Sequence, residues 1–199
     1  MESYTFDNYD EYVHAQRRTT LHKTNRPQGY RPFVGHRAVR TIAKHYGKPP
    51  HHGLCHGVRG GEELDLFEQI VGGDWVGTEI VEELCDGMRI IHHDFEQPRL
   101  DWRGRFDIVY SNSLDHARSP ETAVSEWLRQ LSDVGVLYIE WTKFSSRLGK
   151  GWNRADCWAA TRVEYADLIS VCGGVIDAVL ESRGKSIFVV RDLPCPDKP

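Results

Sequence analysis

The stretch PHHGLCHGVRGGEELDLFEQIVGGDWVGTEI, Pro50 to Ile80, decides how the 199-residue chain is read. It begins with a short apolar run, Gly53-Leu54-Cys55, and passes through a glycine-rich turn at Gly57, Gly60 and Gly61. Leu64, Phe67, Ile70 and Val71 then recur at helical spacing and share one face. Gly72 and Gly73 stop that helix, because glycine takes up the left-handed conformation of a helix end without a Cβ penalty. Trp75 to Ile80 has the length and apolar character of a second buried strand, and it carries an acid, Glu79, near its end. A glycine turn between strand and helix lets a ligand approach the backbone closely, and a carboxylate ending the next strand accepts hydrogen bonds from ribose hydroxyls. The expectation is a parallel sheet with a nucleoside site at its carboxyl edge.

Charge narrows the ligand. Glu62, Glu63 and Asp65 occupy the first turn of the helix, where a pyrophosphate would need bare N–H groups and the positive end of the helix dipole. Carboxylates there repel phosphate and suit a ligand with an ammonium or sulfonium group, as S-adenosylmethionine has. Taken singly, each of these acids can equally serve the dipole alone.

Downstream segments carry a family resemblance. Ile91-His92-His93-Asp94-Phe95-Glu96-Gln97-Pro98 resembles the end of the third strand in class I S-adenosylmethionine-dependent methyltransferases, where an acid followed by an apolar residue holds the adenine. Residues 105–116, from Arg105-Phe106-Asp107 to Leu114-Asp115-His116, resemble their fourth strand and catalytic exit loop. Residues 128–140 resemble the helix, glycine turn (Gly135) and fifth strand that follow. These pieces span 53–141 in the family's order. The resemblance implies an α/β, Rossmann-like fold: a seven-stranded, mostly parallel sheet with helices on both faces and an antiparallel last strand. It also implies S-adenosyl-L-methionine as cofactor, held by Gly57, Arg59, Gly61, Glu79, Ile80, Asp94, Phe95, Ser111 and Asn112, with Glu79 on the ribose and Asp94 on the adenine. Two positions depart from the pattern. Cys55 replaces the acid that precedes the first glycine, and Arg59 takes the middle glycine position, where a guanidinium suits the methionine carboxylate.

Length and composition, 40% hydrophobic and 27% charged, are those of one globular domain. The expected division is a helical cover over the acceptor site at 1–49, the cofactor-binding sheet at 50–191 and a tail at 192–199. The first residues have neither a basic start nor an apolar core, and the longest apolar runs are strand-sized, so a cytoplasmic chain with no membrane segment is expected. Five cysteines without paired spacing read as reduced, buried thiols rather than a disulfide framework. From Tyr12 to Gly61 there is no acid but ten Lys and Arg, in a chain of net charge −4. That basic arm suggests an anionic acceptor or, equally, a solvated face paired with the chain's own acidic body.

Further helices are expected at 7–18, with Tyr9, Tyr12, Val13 and Gln16 inward, and at 36–46, with Val39, Ile42, Ala43 and Tyr46 inward. Ser119-Pro120-Glu121 opens another with an N-cap, and Thr161 with Glu164 forms a capping box for the last. Residues 143–155 read as a basic, aromatic-bearing loop at the active-site edge, and 175–180 with 186–191 as the final antiparallel pair. His116 lies in the loop after the fourth strand, where a neutral imidazole can take a proton from a hydroxyl, with Asp115 as the alternative base or its orienting group. The other histidines suggest no metal site, because neighbours such as His51 and His52 point to opposite faces of a strand. The reading is methyl transfer to a small, anionic or sugar-like acceptor, hydroxyl favoured. An RNA methyltransferase and a non-catalytic S-adenosylmethionine-binding protein are the alternatives.

Overall fold

A computed structural model of the chain describes residues 1–25, 33–148 and 155–192. Most of the proline- and glycine-bearing loop at 25–32, the middle of the basic loop at 143–155 with Trp152, and the tail with Cys195 fall outside these residues. In chain order the elements are β1 (Glu2–Ser3), α1 (Tyr9–Thr24), α2 (His36–Tyr46), β2 (His52–His56), α3 (Glu62–Ile70), β3 (Asp74–Glu79), β4 (Ile90–His92), β5 (Phe106–Ser111), α4 (Pro120–Gln130), β6 (Leu131–Thr142), β7 (Trp158–Ala159), α5 (Arg162–Val171), β8 (Gly174–Ser182) and β9 (Lys185–Asp192).

Seven strands form one sheet in the order β4-β3-β2-β5-β6-β9-β8. The strands from β4 to β6 pair in parallel, and β9 runs antiparallel to both its neighbours. This is the expected Rossmann-like sheet. Alternation along the strands makes two cores: Leu54, Val109, Leu137 and Ile139 face Trp127 of α4 and Tyr165 of α5, whereas Cys55, Ile108, Tyr110 and Tyr138 face Ile42 of α2 and Phe67 of α3. Helices thus cover both faces. Because β2 lies beside β5 at the centre of the strand order, the loops after these two strands open the crevice where ligands bind in such sheets.

The local signals explain most boundaries. Asn8 accepts the Glu11 N–H and starts α1, Gly47 closes α2 in the left-handed conformation, and the Thr161–Glu164 capping box forms in both directions. Three boundaries differ from expectation. Helix α1 runs six residues past 18 to Thr24, with Thr19 and Thr20 buried on its inner face. Ser119 does not cap α4 with its side chain; its hydroxyl meets Thr122, and the N–H of Ser119 donates instead to Glu96. Gly135 is no turn but lies inside β6, where a Cβ would stand 2.7 Å from the Phe106 carbonyl at the irregular start of the β5–β6 pairing. Among the described residues the cysteines are free, Cys55 and Cys157 buried and Cys85 and Cys172 half-buried, and no helix is long and apolar enough to cross a membrane.

Candidate functional site

The chain leaves β2 through a left-handed cradle, with φ of 77° at Gly57, 48° at Arg59 and 88° at Gly61. A Cβ at Gly57 would lie 2.7 Å from the Ser113 hydroxyl, so this position needs glycine for space as well as for conformation. Arg59 holds a positive φ that favours glycine, and its own N–H donates to Glu79 Oε2 at 2.9 Å. The N–H of Val81 reaches the other oxygen at 3.0 Å. Two elements therefore grip one buried carboxylate at the end of β3; burial pushes its pKa up and the two N–H groups pull it back.

Gly57, Arg59, Glu79, Ile80, Asp94 and Phe95, all expected from sequence, meet around one cleft. Tyr12, Gln16 and Thr20 of α1 close it from the other side and leave about 30 Å³, room for one or two waters. Three expected contacts lie apart from this cleft. Gly61 caps α3 beneath Ile90, the buried Ser111 hydroxyl accepts the Ser113 N–H and bonds to the His56 carbonyl, and Asn112 lines the neighbouring cleft. Asp94 is already engaged: the Tyr9 hydroxyl donates to Oδ2 at 2.8 Å and the Glu96 N–H to Oδ1 at 3.0 Å. Glu96, buried beneath Tyr12 and beside Asp94, is pushed up to about 7, first by burial and then by the Asp94 charge.

The second cleft, of about 240 Å³, contains Lys23, Phe33, Asn112, Asp115, Phe144 and Asp156 and shares the wall of Gly57, Arg59, Ser113 and His116 with the first. His116 stands at this junction. Its Nδ1 lies 3.0 Å from Gln16 Oε1, and its Nε2 lies 3.3 Å from Asp156 and 4.0 Å from Asp115. Burial lowers the His116 pKa to about 4, with Asp156 working against the shift and Lys23 and Arg59 with it. Burial and the Asp156 charge raise Asp115 to about 7. At neutral pH the imidazole is neutral and able to accept a proton.

Sequence reading placed His116 and Asp115 together but missed Asp156, whose only signal was an acid in a mixed loop. It also missed the part that Tyr9, Tyr12 and Gln16 play, although it placed all three on the inner face of α1. Three further histidines of the quoted motifs serve structure: His56 is buried between Thr78 and Gln130, while His92 and His93 face the carbonyls of Ile80 and Gln97. Trp158 packs on Tyr165 in the core, and Trp141 donates to the Ala160 carbonyl. Arg17 of the basic arm pairs with Glu83 on the surface and borders neither cleft.

No family model and no curated protein matches the sequence. Solved structures do match the fold. The Burkholderia thailandensis 1,6-didemethyltoxoflavin-N1-methyltransferase, solved with 1,6-didemethyltoxoflavin and S-adenosylhomocysteine, superposes with a TM-score of 0.71 at 18% identity over 95% of this chain and 92% of that one. A TehB-like SAM-dependent methyltransferase from Corynebacterium glutamicum gives 0.61 at 13% identity over 91% and 99%. A SAM-dependent methyltransferase from Aquifex aeolicus gives 0.59 at 15% identity over 94% and 98%. The chain has the Rossmann-like fold of these S-adenosylmethionine-dependent methyltransferases.

Proposed function

We propose that this chain is an S-adenosylmethionine-dependent methyltransferase acting on a small acceptor. The observation that carries the reading is the Glu79 carboxylate, held by the N–H groups of Arg59 and Val81 at the mouth of the left-handed Gly57–Gly61 turn. A carboxylate fixed in this way has lone pairs to spare for a vicinal diol, and the turn that fixes it is one that a Cβ at Gly57 would block. The residues present therefore fit an adenosyl group: Glu79 for the ribose, Asp94 with Phe95 for the adenine, and Arg59 for the methionine carboxylate. Because α1 lines this cleft, admitting the cofactor requires the Tyr9 end of the helix to swing clear of Asp94, breaking the Tyr9–Asp94 hydrogen bond, while Tyr12 and Gln16 keep their hydrogen bonds to the His116 carbonyl.

S-adenosylmethionine would supply an electrophilic methyl on a good leaving group, so the protein's task is alignment and proton removal. The second cleft supports an acceptor site because it shares His116 and Ser113 with the first. Lys23 there suits an anionic or sugar-like acceptor, and His116 beside Asp115 and Asp156 suits a hydroxyl that must lose its proton. Calorimetry with S-adenosylmethionine and S-adenosylhomocysteine tests the cofactor, and labelled methyl transfer to a panel of sugars, phosphorylated metabolites and RNA tests the acceptor. Micromolar binding of both nucleosides is expected. Binding of neither would refute the reading, and transfer to RNA alone would replace the small acceptor with a nucleic acid.

A further inference from the structure

Gln16 is a buried amide, 3% exposed, on a helix otherwise remote in sequence from the catalytic loop. Its Nε2 donates to two carbonyls, His116 at 3.1 Å and Ala155 at 3.0 Å. Carbonyl oxygens only accept, so both amide hydrogens are used and the amide cannot be turned over without setting its oxygen against both carbonyls. Its Oε1 therefore faces His116 Nδ1, at 3.0 Å. An amide oxygen has no proton to give, which leaves the hydrogen on Nδ1 and the lone pair of the neutral ring on Nε2.

We infer that Gln16 is the positioning residue of the site: it holds His116 as the Nδ1–H tautomer and ties the His116 and Asp156 segments together, so that Nε2 is the base that takes the acceptor's proton. The inference rests on the methyltransferase reading for its chemistry but not for its geometry. The two carbonyls that Gln16 binds belong to His116 itself and to Ala155, the residue before Asp156, so one amide sets the 3.3 Å separation between Nε2 and the Asp156 carboxylate. Tyr12, one turn earlier on α1, adds its hydroxyl to the same His116 carbonyl at 3.2 Å. Charged and titratable groups facing the ring are Asp115, Asp156, Lys23 and Arg59. Burial dominates among their effects and keeps His116 neutral, with a pKa lowered to about 4.

The proton and charge balance is simple. S-adenosylmethionine, when bound, would supply the methyl: the acceptor oxygen would gain the bond to carbon while the carbon–sulfur electron pair would go to sulfur, leaving a neutral thioether. The acceptor's proton moves to Nε2. The positive charge lost by the sulfonium reappears on the imidazolium, opposite the Asp156 carboxylate, with Nδ1–H still bonded to Gln16. Asp156 thus accepts a hydrogen bond from Nε2 only after transfer, which favours the product side of the proton step.

The test is ¹⁵N–¹H correlation NMR of histidine-labelled protein at pH 7, with His116 assigned by comparison with His116→Gln. Wild type is expected to show His116 protonated at Nδ1 and bare at Nε2. Gln16→Leu, which keeps the side chain's bulk but can neither accept from Nδ1 nor donate to the two carbonyls, is expected to populate the Nε2–H tautomer. In turnover, Gln16→Leu should lower kcat at least tenfold with the acceptor KM little changed. An Nε2–H tautomer in the wild type overturns the inference, as does an unchanged kcat in a Gln16→Leu variant whose tautomer has switched. Failure to bind S-adenosylmethionine would overturn the methyltransferase reading alone, because the tautomer is read without it.

Discussion

Replacing Asp115 with asparagine removes a charge that folding has to bury. The side chain is 14% exposed, and burial together with the Asp156 charge raises its pKa from 3.8 to about 7. Between those two values the folded chain holds a proton here that the unfolded chain has released, so this group lowers stability as pH rises across that window. Roughly three pKa units at about 1.36 kcal/mol each set a ceiling of about 4 kcal/mol on the penalty carried above pH 7. Asparagine matches the neutral acid in shape and never ionises. Urea unfolding of wild type and Asp115→Asn, followed by tryptophan fluorescence from pH 3.5 to 8.5, measures the difference directly. Equal stability is expected at pH 3.5, and an advantage for the variant that grows to between about 1 and 4 kcal/mol by pH 8. Glu96, also raised to about 7, bends both curves alike and cancels in the comparison. Parallel curves at every pH, or a variant less stable at pH 8, would show that Asp115 is solvated or paired when charged and would remove the electrostatic basis of the proposed acceptor site.

Glu79→Ala should weaken S-adenosylmethionine binding by roughly ten- to a hundredfold in calorimetry, because a charge-assisted hydrogen bond contributes about 1.5–3 kcal/mol; unchanged affinity would place the ribose elsewhere. Gly57→Ala should lower thermal stability as well as affinity, since the φ of 77° costs an alanine about 1–2 kcal/mol and its Cβ meets Ser113 at 2.7 Å; an undiminished melting temperature would contradict the packed cradle. Tyr9→Phe removes the hydroxyl from Asp94, so the fold should lose about 0.5–1.5 kcal/mol while stopped-flow association of S-adenosylmethionine becomes faster. Slower association would mean that α1 does not limit access.

The sequence by itself determined the sheet and its connections. Apolar residues at strand or helix period, the glycines at 57, 61 and 47 and the Thr161–Glu164 box are signals that act within a few residues, so they can be read without knowing what packs on what. They were enough to bring six of the nine expected cofactor contacts around one cleft and to set His116 and Asp115 in the same loop. Local signals failed where a neighbour distant in sequence decided the outcome. Gly135 became strand because the Phe106 backbone lies against it, and the N–H of Ser119 at the start of α4 is bound by a carboxylate 23 residues earlier, that of Glu96. What only the tertiary structure decided is the assembly of the candidate site around His116. Helix α1 docks across the crevice and sets Tyr9 on Asp94, 85 residues away, and Gln16 on His116, 100 residues away. A glutamine on the inner face of a helix shows no tautomer and no partner until the carbonyls of His116 and Ala155 are packed against it, because hydrogen-bond direction is a property of the assembled site and not of the residue.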